Sequence, residues 1–455
     1  MNNQGRDNAS TAIGYGRSLS PPDGPLSTER TTTQAPPLRI RIEADGDADK
    51  AIRDYLTQLL LEHHSEYQRP YLAFPYGGLP TSVDRFEFLD DPSKLDEAYS
   101  FARLVNSIPD FDLQGRWFFT SNQLVDEYTY WLDHYVPPPI SITKKEEKQL
   151  RKAREYCAEN FAVYWSFRTD FYNADSEYEA WLYMPVGDRP KDYEQKLKAA
   201  YDKVELTRQE WELKGHRSEY EANYAKVEEL SRRDPALTKQ TLRELMGQPY
   251  ISRLGEFYWT SLLPGNAFAS DDSWLRYEIE FGESEATMPL MERRASDRRA
   301  VPVAEIPLTG TRITFEMVRL AIDRAWFAAY LLNSNDWKWA DSTPLDPFAG
   351  YPLSDGAAQP VGHLVMIPKE VLFVRNKQVD SQTVGKFLSD GPSAESDKST
   401  WLSFGPFGLG GSEETKNLQG SAPGAIEISQ MEYFAFMCEL LPMEPNPNWH
   451  LWPIL

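Results

Sequence analysis

The sequence predicts an α+β protein in which a charged helical segment separates two regions that contain strands. Three observations predict this class. Short runs in which apolar and polar residues alternate occur near the N-terminus and through the C-terminal half. Residues 142–248 are dense in charge, poor in glycine and carry apolar residues at helical spacing. After residue 249, glycine and proline separate the apolar runs, as is typical of strands joined by turns.

The first two of four predicted regions are a disordered tail over residues 1–38 and an N-terminal mixed α/β region over residues 39–141. The chain has 455 residues, which is too long for one ordinary hydrophobic core. The tail has too few bulky apolar residues to offset the entropy of ordering. In the second region, apolar spacing predicts a helix around 52–60 and another over 121–135, with Ser121 or Asn122 as the N-cap of the second.

The third region, residues 142–248, is predicted to be a charged helical insertion. Its apolar residues recur at intervals of three and four, which predicts a coiled-coil-like hairpin of two antiparallel arms that bend at Gly215 and His216. An ordinary solvated helix pair on the main body is the alternative. The residues predicted to face the opposite arm are Tyr193, Leu197, Ala200, Tyr201, Val204, Trp211, Tyr220, Tyr224, Val227 and Leu230.

The fourth region, residues 249–455, is predicted to be a β-rich, sandwich-like domain. Its strand-like runs include WLRYEIEF, RITFEMVRLAI, HLVMIPKEVLFV and ISQMEYFAFMCELL. In the first of these runs, alternation places Leu275 and Tyr277 on the core face of a strand. Glu278 and Glu280 then lie on the opposite face, where we expect them to contact water.

The charge and the cysteine usage exclude several classes of protein. The formal net charge is −21, which repels phosphate backbones and anionic lipid headgroups, so we expect neither nucleic acid nor a membrane as partner. Only two cysteines are present, far apart in the chain, so a disulfide framework is not expected. The N-terminal residues lack an apolar signal segment. Together these features predict an acidic cytoplasmic protein.

One short stretch resembles a phosphate-binding loop. From Gly405 to Ser412 the spacing is G-x-x-x-x-G-G-S, but Gly411 occupies the position where a P-loop has its lysine. We therefore interpret the stretch as a turn between strands, in which Pro406 and the glycines set the backbone. The six histidines and two cysteines show no metal-binding or nucleophile spacing. No catalytic residue, metal or cofactor is predicted.

These observations favour a non-catalytic interaction or assembly protein that binds itself or another protein, because aromatic residues and a helical arm are abundant while catalytic patterns are not. The alternative is an enzyme or a protein that binds a small molecule or glycan in an aromatic-lined pocket between the helical and β-rich regions. In such a pocket Trp326, Trp337 and Trp339 would stack the ligand, and the polar groups would be Arg319, Asp323 and Arg324. These three charged residues could instead form a structural ion-pair cluster at a strand end.

Four C-terminal stretches carry a resemblance to a known family. In order they are ITFEMVRLAIDRAWF, HLVMIPKEVLFVRN, SFGPFGLGG and APGAIEISQMEYFAFMCELLPMEPNP, within residues 313–447. This order resembles a family of uncharacterised bacterial and fungal proteins that share a strand ending in Arg-x-Trp-Phe, an Ile-Pro strand and a Gly-Pro-Phe turn. The resemblance implies a structural turn at Gly405 and implies no activity or site residue. Ala325 departs from the proline of that family.

Overall fold

Helices and strands both make up much of the chain, so the predicted α+β class is confirmed. The computed structural model describes residues 37–42, 47–61, 68–75, 78–79, 81, 88, 91, 93–117, 122–138, 143–182, 184, 189–231, 235–264, 267–268, 274–282, 286–294, 300–332, 334–349, 351–381, 383, 400–411 and 425–452. The predicted disordered tail lies outside the described residues as far as residue 36, whereas Leu38 already begins a strand.

The described helices are α1 (Ala48–Leu61), α2 (Leu95–Val105), α3 (Leu124–His134), α4 (Lys144–Leu182), α5 (Tyr193–Leu213), α6 (Arg217–Ser231), α7 (Pro235–Met246) and α8 (Ala329–Leu332). The described strands are β1 (Leu38–Ile42), β2 (Pro70–Pro75), β3 (Arg116–Trp117), β4 (Tyr135–Val136), β5 (Tyr250–Ile251), β6 (Glu256–Phe257), β7 (Ser261–Leu263), β8 (Leu275–Phe281), β9 (Thr287–Arg294), β10 (Val301–Pro307), β11 (Arg312–Asp323), β12 (Lys338–Trp339), β13 (Ser354–Asp355), β14 (Met366–Asp380), β15 (Thr400–Phe404), β16 (Phe407–Gly411), β17 (Ala425–Ile428), β18 (Glu432–Leu440) and β19 (Met443–Glu444).

A nine-stranded mixed sheet organises these elements. Its order is β1-β8-β11-β14-β18-β2-β3, with β7 also pairing with β11 and β17 with β14. The pairs β1–β8 and β2–β3 are parallel, and the other pairs are antiparallel. The main sheet therefore takes strands from the region predicted over 39–141 and from the region predicted over 249–455.

Side-chain alternation along β11 gives the main sheet two apolar faces. Its odd-numbered residues Ile313, Phe315 and Met317 belong to one core, and its even-numbered residues Val318, Leu320 and Ile322 belong to another. A second sheet, of order β10-β9-β15-β16, covers the first face together with α1. Helix α2 covers the second face. The β-rich part thus contains two sheets that bury a shared core, as predicted.

The long helix α4 is the element against which the other helices of this region pack. Tyr201 of α5 contacts Tyr178 of α4 at a ring-centroid distance of 5.6 Å, and Tyr220 of α6 stacks on Tyr164 of α4 at 4.2 Å. Helices α5 and α6 thus lie one after the other along α4, and both run antiparallel to α4. A helical hairpin exists, but its arms are α4 and the α5–α6 segment. The prediction that α5 and α6 are the two antiparallel arms, bending at Gly215 and His216, was wrong, because both helices pack against α4 and run in the same direction along it.

The break between α5 and α6 lies at Gly215 and His216, and the helices on both sides of it pack on α4. A Cβ atom at Gly215 would lie 2.7 Å from the Trp211 carbonyl oxygen and 2.8 Å from Cβ of Phe167 on α4. His216 adopts a left-handed φ of 53°. Close approach to α4 and a local change of backbone direction therefore both occur at this point.

Three local predictions differ from the structure. Helix α3 begins at Leu124 with Gln123 at its N-cap and has no side-chain cap, while Ser121 lies outside the described residues. Helix α2 was not predicted, although Ala98, Phe101, Ala102 and Val105 lie on one face of it and Asp96 and Glu97 occupy its first turn. Glu278 was predicted to contact water, but it is only 5% exposed and its Oε1 lies 3.2 Å from Nε of Arg39 on β1.

We expect Gly215→Ala to destabilise the protein by roughly 1–3 kcal/mol, because the added methyl group overpacks the contact between α5 and α4. Urea unfolding followed by circular dichroism measures this loss. Gly282→Ala is the matched control, since the nearest atoms to a Cβ there lie at 3.7 Å and 3.9 Å, which is ordinary contact. Equal stability of the two variants would contradict the role given to Gly215.

Candidate functional site

The three tryptophans predicted to line a pocket are core residues. Trp326, Trp337 and Trp339 are 4%, 2% and 5% exposed. Trp337 lies 5.7 Å from Trp131 of α3 and 5.0 Å from Trp339, both in edge-to-face geometry. Rings buried in this way offer no free face on which a ligand could stack. The structure therefore places these side chains in the packing around α3.

Arg324 is buried and donates hydrogen bonds to two backbone carbonyls and one side chain. Its guanidinium donates to the carbonyl oxygen of Val105 at 2.7 Å, to that of Pro368 at 2.6 Å and to Oδ1 of Asn106 at 2.5 Å. Burial lowers the pKa of Arg324. The neighbouring Asp323 accepts a hydrogen bond from Ser261, and burial raises its pKa. These two residues connect α2, β7, β11 and β14.

Arg319 lies on β11, on the strand face that it shares with Met317, and takes part in a charge cluster. Its Nε contacts the carboxylate of Glu370 on β14, and Nη1 of Arg168 on α4 lies 3.7 Å from the same carboxylate. The Arg168 guanidinium also stacks over the rings of Trp165 at 4.1 Å and Tyr172 at 4.9 Å. We call Arg168, Arg319 and Glu370 the shared-carboxylate cluster; it joins α4 to the main sheet.

The sequence held a signal for this cluster. Glu370 shares its strand face with Leu372 and Val374, which are both buried. An acidic residue at a core position must find a cation, because burying an unpaired charge is costly. Which cation it finds could not be predicted, since Arg168 is 202 residues away in sequence. The prediction named Arg319 and missed both Arg168 and Glu370.

A groove lies beside the shared-carboxylate cluster, between α4, α1 and the main sheet. Its cavity volume is about 70 Å³. Its apolar lining consists of Leu38, Leu59, Leu60, Leu275, Tyr277 and Met317. Its polar lining consists of Tyr172, Asn173, Asp175, Ser176 and Glu179 from α4, and Arg319 from β11. Of the six residues predicted to form a site, Arg319 is the one that lines this groove.

The glycine loop is a hairpin turn, as interpreted from the sequence. Strand β15 pairs with β16 across Gly405 and Pro406, and Gly405 has a φ of 56°. The backbone N–H of Gly408 donates to both carboxylate oxygens of Glu432, at 3.1 Å and 2.9 Å. Nζ of the fully buried Lys377 lies 3.3 Å from the same carboxylate. The loop thus holds a buried acid of its own fold, and desolvation raises the pKa of Glu432 to about 7.

The described part of the chain has neither a candidate metal site nor a candidate membrane span. Among those residues, no group of three or more His, Cys, Asp or Glu side chains could hold a metal ion. In the same residues, no helix is long and apolar enough to cross a membrane.

Comparison with known proteins supplies no relative: no protein-family model, no curated protein and no solved structure matches the chain. The resemblance to a family with an Arg-x-Trp-Phe strand end therefore stays a prediction.

We expect Glu370→Gln to lower the free energy of unfolding by about 3–5 kcal/mol, because it leaves two arginines without their buried acidic partner. Urea unfolding measures the loss, and faster hydrogen exchange in the middle of α4 would report local detachment. Glu280→Gln is the control, since Glu280 pairs with Arg312 at the surface, where the expected cost is below about 1 kcal/mol. A Glu370 variant as stable as the Glu280 variant would show that the cluster does not anchor α4.

We expect Glu432 to make the protein less stable as pH rises from 4.5 to 7. Because the pKa of Glu432 is about 7 in the folded state and near 4.5 in the unfolded state, the folded state binds more protons in this window, and stability falls with rising pH. Glu432→Gln removes this contribution. Urea unfolding at several pH values should therefore show a less negative slope for Glu432→Gln than for the native chain. Glu427→Gln is the control, because Glu427 is exposed on β17, and it should keep the native slope. A native slope in Glu432→Gln as well would show that Glu432 does not cause the pH dependence.

Proposed function

We propose that the protein is a non-catalytic interaction or assembly protein, and that its contact surface is the outer face of the helical hairpin. The observation that supports this proposal is the exposure of two large apolar side chains on α5. Leu206 is 56% exposed and Leu213 is 76% exposed. They are seven residues apart, so they lie on the same side of the helix, about two turns from each other.

Leu206 and Leu213, which we call the outer leucines, face away from α4. Val204 and Trp211 are buried on α5, and each outer leucine follows one of them by two residues. Two residues turn a helix by about 200°, so Leu206 and Leu213 lie on the side opposite the buried stripe. Neither leucine is therefore required for the hairpin itself.

Charged pairs surround the outer leucines. Arg208 and Glu205 pair at 2.8 Å, and Lys214 and Glu210 pair at 2.7 Å. An apolar centre with a charged rim is the usual composition of a protein–protein interface. Single exposed leucines are common on protein surfaces, but two at heptad spacing suit a helix–helix contact.

A second function is favoured by the groove. The alternative predicted from the sequence was a ligand pocket between the helical and β-rich regions, and the groove lies between α4 and the main sheet. It contains the predicted Arg319 but none of the predicted tryptophans. A ligand-binding function would thus use an apolar floor and a polar helix wall rather than stacked rings.

We expect the native chain to self-associate in solution and the double variant Leu206→Glu/Leu213→Glu to be a monomer, because carboxylates at both positions would have to be buried on association. Light scattering should give a multiple of the 52.2 kDa chain mass for the native protein and 52.2 kDa for the double variant.

Leu345→Glu is the matched control, because Leu345 is 97% exposed on a loop and should not affect assembly. Substitution is preferable to deleting α5 and α6, since deletion would also uncover the apolar side of α4. A native chain that scatters as a monomer would overturn self-assembly and would make the ligand-binding function the leading one.

A further inference from the structure

We propose that the groove beside α4 binds a small neutral molecule with several hydroxyl groups, and that the hydroxyl of Tyr277 is one of the groups that hold it. This inference rests on the second function above, ligand binding, and adds the chemical class of the ligand and a binding residue. It is independent of whether the protein assembles through α5. The observation that carries it is a buried hydroxyl that lines the groove without a hydrogen-bond partner.

Tyr277 lies on β8 in the floor of the groove and is only 3% exposed. Its ring stacks on Phe315 of β11 at a centroid distance of 5.3 Å, which fixes the position of the ring. Among the described residues, its hydroxyl makes no hydrogen bond. Burying a hydroxyl without a partner destabilises a fold, and phenylalanine would pack equally well. A ligand that bonds to the hydroxyl explains why tyrosine occupies this position.

The Tyr277 hydroxyl keeps its proton at neutral pH. Burial raises the pKa of Tyr277, and the nearby Arg319 lowers it without reversing that shift. The protonated phenol can both donate a hydrogen bond to a ligand and accept one from it.

The wall formed by α4 offers three further groups. Asn173, Asp175 and Ser176 are partly buried, line the groove and, among the described residues, make no side-chain hydrogen bond or ion pair. With Tyr277 they supply two hydroxyls and an amide, which donate and accept, and a carboxylate, which accepts. A ligand hydroxyl also donates and accepts, whereas an ammonium group only donates and a carboxylate only accepts. Several hydroxyls on one molecule can therefore satisfy the floor and the wall together.

The charges beside the groove are balanced without a ligand. Arg168 and Arg319 contribute two positive charges, and Glu370 and Asp175 contribute two negative charges. Glu179 also lines the groove but has an interaction partner of its own. A charged ligand would disturb this balance, whereas a neutral ligand would not. The charges therefore favour a neutral molecule.

The volume of the groove limits the size of the ligand. The cavity measures about 70 Å³. Room for one water molecule takes about 10–15 Å³ of such space, so the groove holds the equivalent of about five to seven waters. A molecule of about six non-hydrogen atoms fits, with its carbon atoms against the apolar floor at Leu275 and Met317.

The test uses five probes that each have six non-hydrogen atoms: glycerol, 1-pentanol, butanamide, 3-amino-1,2-propanediol and lactate. They represent a triol, a single hydroxyl, an amide, a cation and an anion. Titration calorimetry and saturation-transfer NMR on the full chain measure binding, because glycerol raises melting temperatures even without a site. We expect glycerol to bind one site with a Kd of about 1 mM, and every other probe to bind at least about threefold more weakly.

Tyr277→Phe is the decisive variant, because it removes the hydroxyl and keeps the ring. It should weaken glycerol binding by about fivefold or more. Its melting temperature without ligand should be no lower than that of the native chain, since no hydrogen bond of the fold is lost. Tyr250→Phe is the matched control, because Tyr250 is exposed on β5 and lies outside the groove. Ser176→Phe should abolish binding by filling the groove.

The outcomes separate this inference from the function on which it rests. Native glycerol binding in Tyr277→Phe, or a lower melting temperature of that variant without ligand, would overturn the role of Tyr277. Tighter binding of another probe than of glycerol, lost in Ser176→Phe, would overturn the hydroxylated class and keep the ligand-binding function. No binding of any probe would overturn both the hydroxylated class and the ligand-binding function.

Discussion

The buried carboxylate of Glu370 constrains the architecture more than any other single group. It projects from the centre of the main sheet, where a charge can remain only if cations reach it. Arg319 reaches it from the adjacent strand and Arg168 from the long helix α4. Because Arg168 is in the middle of α4, this requirement sets where the helix crosses the sheet. Helices α5 and α6 follow α4, so the position of the whole hairpin and the walls of the groove depend on the same contact. Replacing such a cluster by well-packed apolar residues is often neutral for stability, whereas removing one partner alone is costly.

Close approach of the backbone is the second constraint, and Gly215 and Gly408 are two of the glycines that meet it. At Gly215 the chain passes so near to Phe167 that a methyl group would overlap with it, which keeps α5 and α6 on one side of α4. At Gly408 a Cβ atom would lie 2.2 Å from Oε2 of Glu432, so the turn N–H can reach that carboxylate only without a side chain. The motif that most resembles a nucleotide-binding loop therefore serves the internal packing of the protein. Its glycines are explained without a ligand.

The aromatic residues illustrate the same division between packing and function. The sequence is rich in tryptophan and tyrosine, which is compatible with either a ring-lined pocket or an aromatic core. Around α3 they form a core, in which Trp131 stacks on Tyr135 at 4.2 Å and meets Trp337 edge to face. The surfaces that we propose for interaction are the outer leucines of α5 and the groove beside α4. Neither depends on tryptophan, and each uses residues that look ordinary in the sequence.

The sequence by itself determined the α+β class, the helical character of 142–248, the main strands after residue 274 and the turn at Gly405, because each follows from local periodicity or from backbone preferences. Only the tertiary structure decided which segments meet. The pairing of β1 with β8, the packing of α6 on α4 and the contact of Arg168 with Glu370 each join residues more than fifty positions apart. Of the residues that line the groove, the sequence predicted only Arg319. The lining comes from α1, α4, β8 and β11, and contacts between distant parts of the chain bring these elements together. Local patterns specify which face of an element is buried, and the three-dimensional packing specifies what covers it.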